Sequence, residues 1–239
     1  METEHKNIIN LKVGFYSSII LTSLTIITFG FAMIAIPPSG PNCPGNCMDY
    51  PFKEILSYYP RDYYWMYFTV FQLFAYQVFI ISNHFIASKE RRIFSTISVA
   101  FASISATVLL IAYFTQFAVV PISVMEGESE GIALLTQYNG HGIFIVLEEL
   151  GYILMSIAFL FLAPVFNQKN RLEKSIRLIL ILPFILTVLS FIYYSLKFGL
   201  NRHYRFEVAT ITANWLVTII AGILIGVFFK RLLKKNSLQ

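Results

Sequence analysis

Six uninterrupted apolar runs, at 13–36, 65–87, 93–122, 143–166, 178–198 and 208–229, constrain this chain more than any other feature. About 20 apolar residues cross the ~30 Å hydrocarbon core of a bilayer as a helix, and every run meets that length. None alternates as a barrel strand would, and all are too long to be core helices of a soluble domain. Composition closes the soluble alternative. Only 13% of the 239 residues are charged and mean hydropathy is +0.66, whereas soluble domains carry about 25% charged residues. The expected fold class is therefore all-α: a polytopic membrane protein, a six-transmembrane-helix bundle, read as one domain over 1–239 because no internal repeat divides it. The first run is too long for a signal h-region and no small-residue cleavage site follows it. The third run has 30 residues, about 45 Å as a helix, so it is expected to tilt strongly or to project from the bilayer.

Lysine and arginine set the expected orientation. Six spans put both termini on one side, with Lys6, Lys12, Lys89, Arg91, Arg92, Lys169, Arg171, Lys174, Arg177, Lys230, Arg231, Lys234 and Lys235. The other side holds Lys53, Arg61, Lys197, Arg202 and Arg205. Thirteen against five places both termini in the cytoplasm. Carboxylates sharpen the contrast. Glu2, Glu4, Glu90 and Glu173 leave the inner side at +9, while Asp49, Glu54, Asp62, Glu126, Glu128, Glu130 and Glu207 bring the outer side to −2. The net +5 is thus mostly topology and does not point to nucleic acid. The basic tail reads as a stop-transfer anchor beside anionic headgroups.

Cys43 and Cys47 lie in the first outer loop, on the oxidising side, with Pro44 and Gly45 favouring a turn between them. A small-loop disulfide is expected. A metal centre would need further ligands, since two thiols without a nearby histidine are half a zinc site. In the same loop, 51–60 reads as two turns of amphipathic helix, and Tyr63, Tyr64, Trp65 and Tyr67 as an aromatic belt in the headgroup zone. The next outer loop carries Glu126, Glu128 and Glu130 as a solvated acidic stretch. It then turns apolar from Ile132 to Tyr138, to lie on or dip into the outer surface. Asn139, Gly140, His141 and Gly142 form a turn expected to hold His141 over the fourth span.

Polar residues inside spans are costly unless partnered or wet, so their depth is informative. Gln72, Tyr76 and Gln77 in span two, Gln116 in span three, Glu148, Glu149 and Tyr152 in span four, Tyr193 and Tyr194 in span five, and Asn214 with Trp215 in span six all fall in the outer half. The inner half offers mainly Asn83 and His84, close enough to the cytoplasmic surface to be wet. The asymmetry predicts a polar cavity open to the outside. Its candidate ligand-binding residues are Gln72, Tyr76, Gln116, Tyr152, Tyr193, Asn214 and Trp215.

Glu148 and Glu149 are the most unusual pair. His141 and Glu148 are seven apart and share a helical face, about 10 Å apart along the axis. Tyr152 neighbours both carboxyls at i+4 and i+3. Two adjacent buried carboxyls with no Lys or Arg inside any span, apart from Lys197 at the very end of the fifth, should not both be ionised, because desolvation and mutual repulsion oppose charge. At least one is expected to be protonated or hydrogen-bonded to His141, a glutamine or a tyrosine of a neighbouring span. Glu148, Glu149 and His141 are accordingly the candidate proton-transfer set.

The stretch 131–156, followed by 159–166, and the segment from Asp62 to Tyr67 resemble an uncharacterised family of multi-pass prokaryotic membrane proteins. The likeness covers roughly spans two to four, implies a membrane location, and assigns no role to any residue. A retinal protein is disfavoured by the lack of a lysine inside the last span. Paired histidine boxes of lipid desaturases and a phosphate-binding loop are also missing, and the sequence leaves any cofactor unknown. Two function classes follow. Either the outer cavity binds a small or lipid-like molecule, as a receptor or as an enzyme moving protons through its carboxyls, or the same carboxyls couple protons to transport. A structural subunit of a membrane complex is the blandest alternative.

Overall fold

The computed structural model describes residues 2–35, 39–45, 47–128, 130–168, 170–202 and 204–236, with the backbone alone at 2–7 and 42. Ile36, Pro37, Pro38, Asn46 and Lys169, and the side chains of Glu2, Glu4 and Lys6, lie outside the described residues. A backbone in hydrocarbon must satisfy its own hydrogen bonds, which a helix does within one segment. Helices are what the runs form, and no strand occurs among the described residues. They are α1 (Glu2–Ile34), α2 (Ile55–Tyr58), α3 (Tyr64–Phe85), α4 (Arg92–Ala118), α5 (Val120–Met125), α6 (Ile132–Leu135), α7 (Ile143–Leu162), α8 (Arg171–Phe198) and α9 (Tyr204–Asn236). Six segments are long and apolar enough to cross a membrane: Ile8–Ile34, Arg61–Phe85, Lys89–Met125, Ile143–Val165, Arg171–Arg202 and Tyr204–Asn236. The protein is a multi-pass membrane protein by that length and composition.

The six long helices form a ring in chain order. α1 packs on α3, α3 on α4, α4 on α7, α7 on α8 and α8 on α9, and the ring closes through α1 against α9. α7 also touches α9 and α3, which makes it the most central helix. Its closeness to α4 comes from small residues. Ser98 Oγ donates to the carbonyl of Ala158 at 2.7 Å and Ser105 Oγ to that of Gly151 at 2.7 Å. Short side chains let two backbones approach until such bonds form.

Helix limits differ from the apolar runs where charge and proline intervene. The 30-residue run is not one continuous helix. It breaks at Val119 (φ −118°, ψ −61°), and α5 restarts with Pro121 near its N-terminus, where a missing N–H costs nothing. α8 begins seven residues before the apolar run. Asn170 Oδ1 accepts from the Glu173 backbone N–H at 3.0 Å while its Nδ2 donates to Glu173 Oε1 at 2.9 Å, a reciprocal cap for a charged first turn. α9 likewise begins at Tyr204, so Glu207 sits inside the helix.

At the end of the bundle remote from the termini, the connections pack into a cap. Met48, Phe52, Ile55, Val120, Ile132, Ala133 and Tyr138 form a small apolar cluster there. The apolar stretch at 132–138 packs inward within this cap, with one helical turn in α6. The amphipathic segment at 51–60 is shorter than expected, a single turn in α2. Cys43–Cys47 is a disulfide in this cap, and this end is called the disulfide end below. Its loop spans four residues in sequence, so replacing both cysteines by serine is expected to cost at most about 2 kcal/mol. Thiol labelling of unfolded, unreduced protein should find no free cysteine; labelling of both would refute the bridge.

Candidate functional site

A cavity of about 230 Å³ opens at the disulfide end of the ring. α1 contributes Phe29 and Met33, the turn before α3 contributes Asp62, α3 contributes Trp65, α7 contributes Glu148, and α9 contributes Glu207, Ile211 and Trp215. Glu207, Ile211 and Trp215 follow one another at i, i+4 and i+8, which aligns them on one face of α9. Ser39, Tyr138 and Tyr204 close the side toward the cap. Ser39 Oγ donates to the Tyr138 carbonyl at 2.7 Å and lies 3.0 Å from the Tyr204 hydroxyl. Burial pushes the Tyr138 phenol well above its ordinary pKa, so it stays neutral.

Glu148 terminates a hydrogen-bonded chain. Trp215 Nε1 donates to the Tyr152 hydroxyl at 2.9 Å, Tyr152 lies 3.0 Å from the Tyr113 hydroxyl, and Tyr113 donates to Glu148 Oε1 at 2.8 Å. With Tyr113 donating to the carboxyl, Tyr152 must supply the proton between the two phenols. Every hydroxyl then both donates and accepts, and the chain runs in one direction into Glu148. The expected tyrosine partner from a neighbouring span is thus Tyr113 of α4.

Glu149 has a different fate. Its Oε2 receives Arg202 Nη2 at 2.7 Å, and the guanidinium lies 5.0 and 5.3 Å from the Phe191 and Phe206 ring centroids. The only lysine or arginine within an apolar run is Lys197, at the end of the fifth, and it is Arg202 that reaches Glu149 from the α8–α9 connection. The acidic pair is therefore split: Glu148 lines the cavity and Glu149 does not.

Three carboxyl groups line the cavity, and each has one buried oxygen without a hydrogen-bond partner: Asp62 Oδ2, Glu148 Oε2 and Glu207 Oε2. The other oxygen of Asp62 is 2.6 Å from Arg61 Nε. Glu207 lies within hydrogen-bonding reach of Glu148, so one proton held between the two carboxyl groups satisfies both. That leaves Asp62 Oδ2 as the carboxyl oxygen of the lining with no partner of its own, which is costly in a buried position.

The sequence-derived candidates divide accordingly. Glu148 and Trp215 line the cavity, and Tyr152 joins it through hydrogen bonds. Asn214 is buried behind it, donating to the carbonyls of Thr210 and Tyr152. Gln116 is a clamp on the cap: its Nε2 donates to the Leu135 carbonyl at 2.6 Å and its Oε1 accepts from the Gln137 N–H at 2.8 Å. Gln72 and Tyr76 are buried elsewhere, Tyr76 edge-on to Phe159 at 5.6 Å. Tyr193 is exposed beside Lys197 on a separate groove between α8 and α9. His141 stands in a shallow depression on the far side of Ser39, Tyr138 and Tyr204. At the opposite end of the bundle Asn83 is fully buried, so it is not wetted by surface water as its position in the chain suggested.

Asp62, Trp65, Tyr113, Tyr138, Tyr204 and Glu207 are the site residues that sequence reading passed over. Tyr63 and Trp65 were explicable as an interfacial belt, yet Tyr63 is fully buried and Trp65 lines the cavity; Tyr64 alone of these three is exposed. Glu207 had a usable signal, its i, i+8 relation to Trp215, which the late start assigned to the last span concealed. No protein-family model, no curated protein and no solved structure matches the chain.

Proposed function

We propose that this protein binds a small molecule in the outer half of the membrane, with Glu148 as the proton-holding group at the cavity wall and both termini in the cytoplasm. The single observation carrying the reading is a cavity lined by three buried carboxyl groups and both tryptophans of the chain. The thirteen-to-five distribution of basic residues supports an outward-facing mouth. Directional hydrogen bonding through Trp215, Tyr152 and Tyr113 supports a carboxyl held in one orientation, as binding or proton transfer requires. Binding is favoured over carriage because Phe79, Phe159, Phe166 and Phe229 are fully buried and fill the other half of the bundle with apolar rings. The resemblance to prokaryotic multi-pass proteins is compatible with this reading and adds no ligand.

The chain has two tryptophans, Trp65 and Trp215, and both line the cavity. Their emission therefore reports on the site alone. Acrylamide, a small neutral solute, is expected to quench it in the purified protein, and Ala32→Phe, which fills the cavity from α1, should remove most of that quenching. Emission as shielded as that of a closed core in the wild-type protein would refute an open site.

A further inference from the structure

We infer that the ligand is a small organic cation, a protonated amine or quaternary ammonium, held between carboxylates and aromatic faces. The inference rests on the binding reading above and gives it a substrate class.

The first support is the state of the carboxyl oxygens. Glu148 is 0% exposed, Asp62 3% and Glu207 7%, and all three line the same cavity. Even with one proton shared between Glu148 and Glu207 the lining stays acidic, and the protein brings little positive charge to it. Arg61 occupies the other oxygen of Asp62, and Arg202 is committed to Glu149 outside the cavity. An anion would be repelled there, and a neutral apolar guest would leave Asp62 Oδ2 unsatisfied and the negative charge of the lining uncompensated.

The second support is independent of charge. Trp65 and Trp215 meet edge to face at 6.1 Å between centroids, and Phe29 meets Trp215 at 5.7 Å. Rings set at an angle to one another around acidic groups are the arrangement that recognises alkylammonium groups, because each ring face carries negative potential. The remaining walls, Ile211 and Met33, suit the alkyl part of such a ligand. Among the described residues no cluster of three His, Cys, Asp or Glu side chains is arranged to hold a metal ion, which separates an organic cation from a divalent one. At about 230 Å³ the cavity falls below the ~300–1,000 Å³ of drug-sized pockets, so the guest is small.

The test uses purified full-length protein and the emission of its two tryptophans, with calorimetry as a second readout. The probes are choline, n-butylammonium and neohexyl alcohol, the last being choline's neutral isostere with carbon in place of the ammonium nitrogen. Saturable binding of choline or n-butylammonium is expected, with neohexyl alcohol weaker by about tenfold or more. Glu207→Gln and Glu148→Gln should each weaken the cations and narrow that gap. The wild-type comparison needs no variant to fold. Equal affinity for choline and its isostere overturns the cation while leaving the binding site standing, and so does an identical response to sodium chloride. Silence toward both cations in a cavity that acrylamide enters also overturns the cation alone. Exclusion of acrylamide removes the site itself.

Discussion

Gly151→Leu will unfold at a markedly lower temperature than the wild-type protein. A Cβ at Gly151 would stand 2.5 Å from Cγ and Cδ2 of Leu109 on α4, closer than real side-chain contacts allow. Leu109 is itself fully buried, so the side chain has nowhere to turn and the helices must separate. Separation also breaks the bonds from Ser105 to the Gly151 carbonyl and from Ser98 to the Ala158 carbonyl. Overpacking costs about 1–3 kcal/mol and each interhelical bond in a membrane about 0.6 kcal/mol, so a total near 3 kcal/mol is expected. For a chain of this length that corresponds to a fall of roughly 6–12 °C in Tm, read by thermal unfolding in detergent. Adding Leu109→Ala should recover most of it by vacating the space. A Gly151→Leu protein as stable as wild type would mean that α4 and α7 do not approach along this seam. Because Tyr152 follows Gly151 directly, the substitution should also disturb the hydrogen-bonded chain into Glu148.

Arg202→Ala is the second large effect, and its cause is electrostatic. The Glu149 side chain is 11% exposed and that of Arg202 29%, so removing the guanidinium strands a carboxylate that water reaches poorly. Stranding one member of a fully buried pair costs about 3–5 kcal/mol, whereas exposed pairs contribute about 0–1 kcal/mol. This intermediate pair is expected to fall near 2 kcal/mol, with part of the loss from the packing of Arg202 on Phe191 and Phe206. Glu149→Gln in the Arg202→Ala background should restore most of the stability, since no charge is then left alone. Arg202→Lys should recover only part, because an ammonium cannot reproduce a planar group lying on two rings. If Glu149→Gln brings no recovery, the loss comes from packing and the ion pair contributes nothing.

Both effects involve contacts between residues far apart in the chain, and that is where sequence reading loses sight of the molecule. The spans were legible because hydrocarbon selects for length and apolarity locally, residue by residue. Their ends were less so: Arg171 and Tyr204 begin helices that hydropathy alone starts later, since capping by Asn170 and tertiary packing stabilise polar first turns. Glu148 stood out as a carboxyl in an apolar run. Asp62 and Glu207 did not, because each sits beside a span where a solvated carboxylate is ordinary, and only the convergence of α1, α3, α7 and α9 buries them.

What the amino-acid order determines alone is the number of membrane-crossing helices and the asymmetry of polar groups between their two ends. Both follow from the one-dimensional cost of putting charge and unpaired backbone into lipid. The tertiary structure alone decides which polar groups share a space. It pairs Glu149 with Arg202, delivers Tyr113 to Glu148, turns Gln116 into a clamp for the cap, and gathers Asp62, Glu148 and Glu207 around two tryptophans. Helix rotation and the order of neighbours in the ring make that choice. They are fixed by close packing at residues such as Gly151, whose smallness is visible in the sequence but whose partner is not.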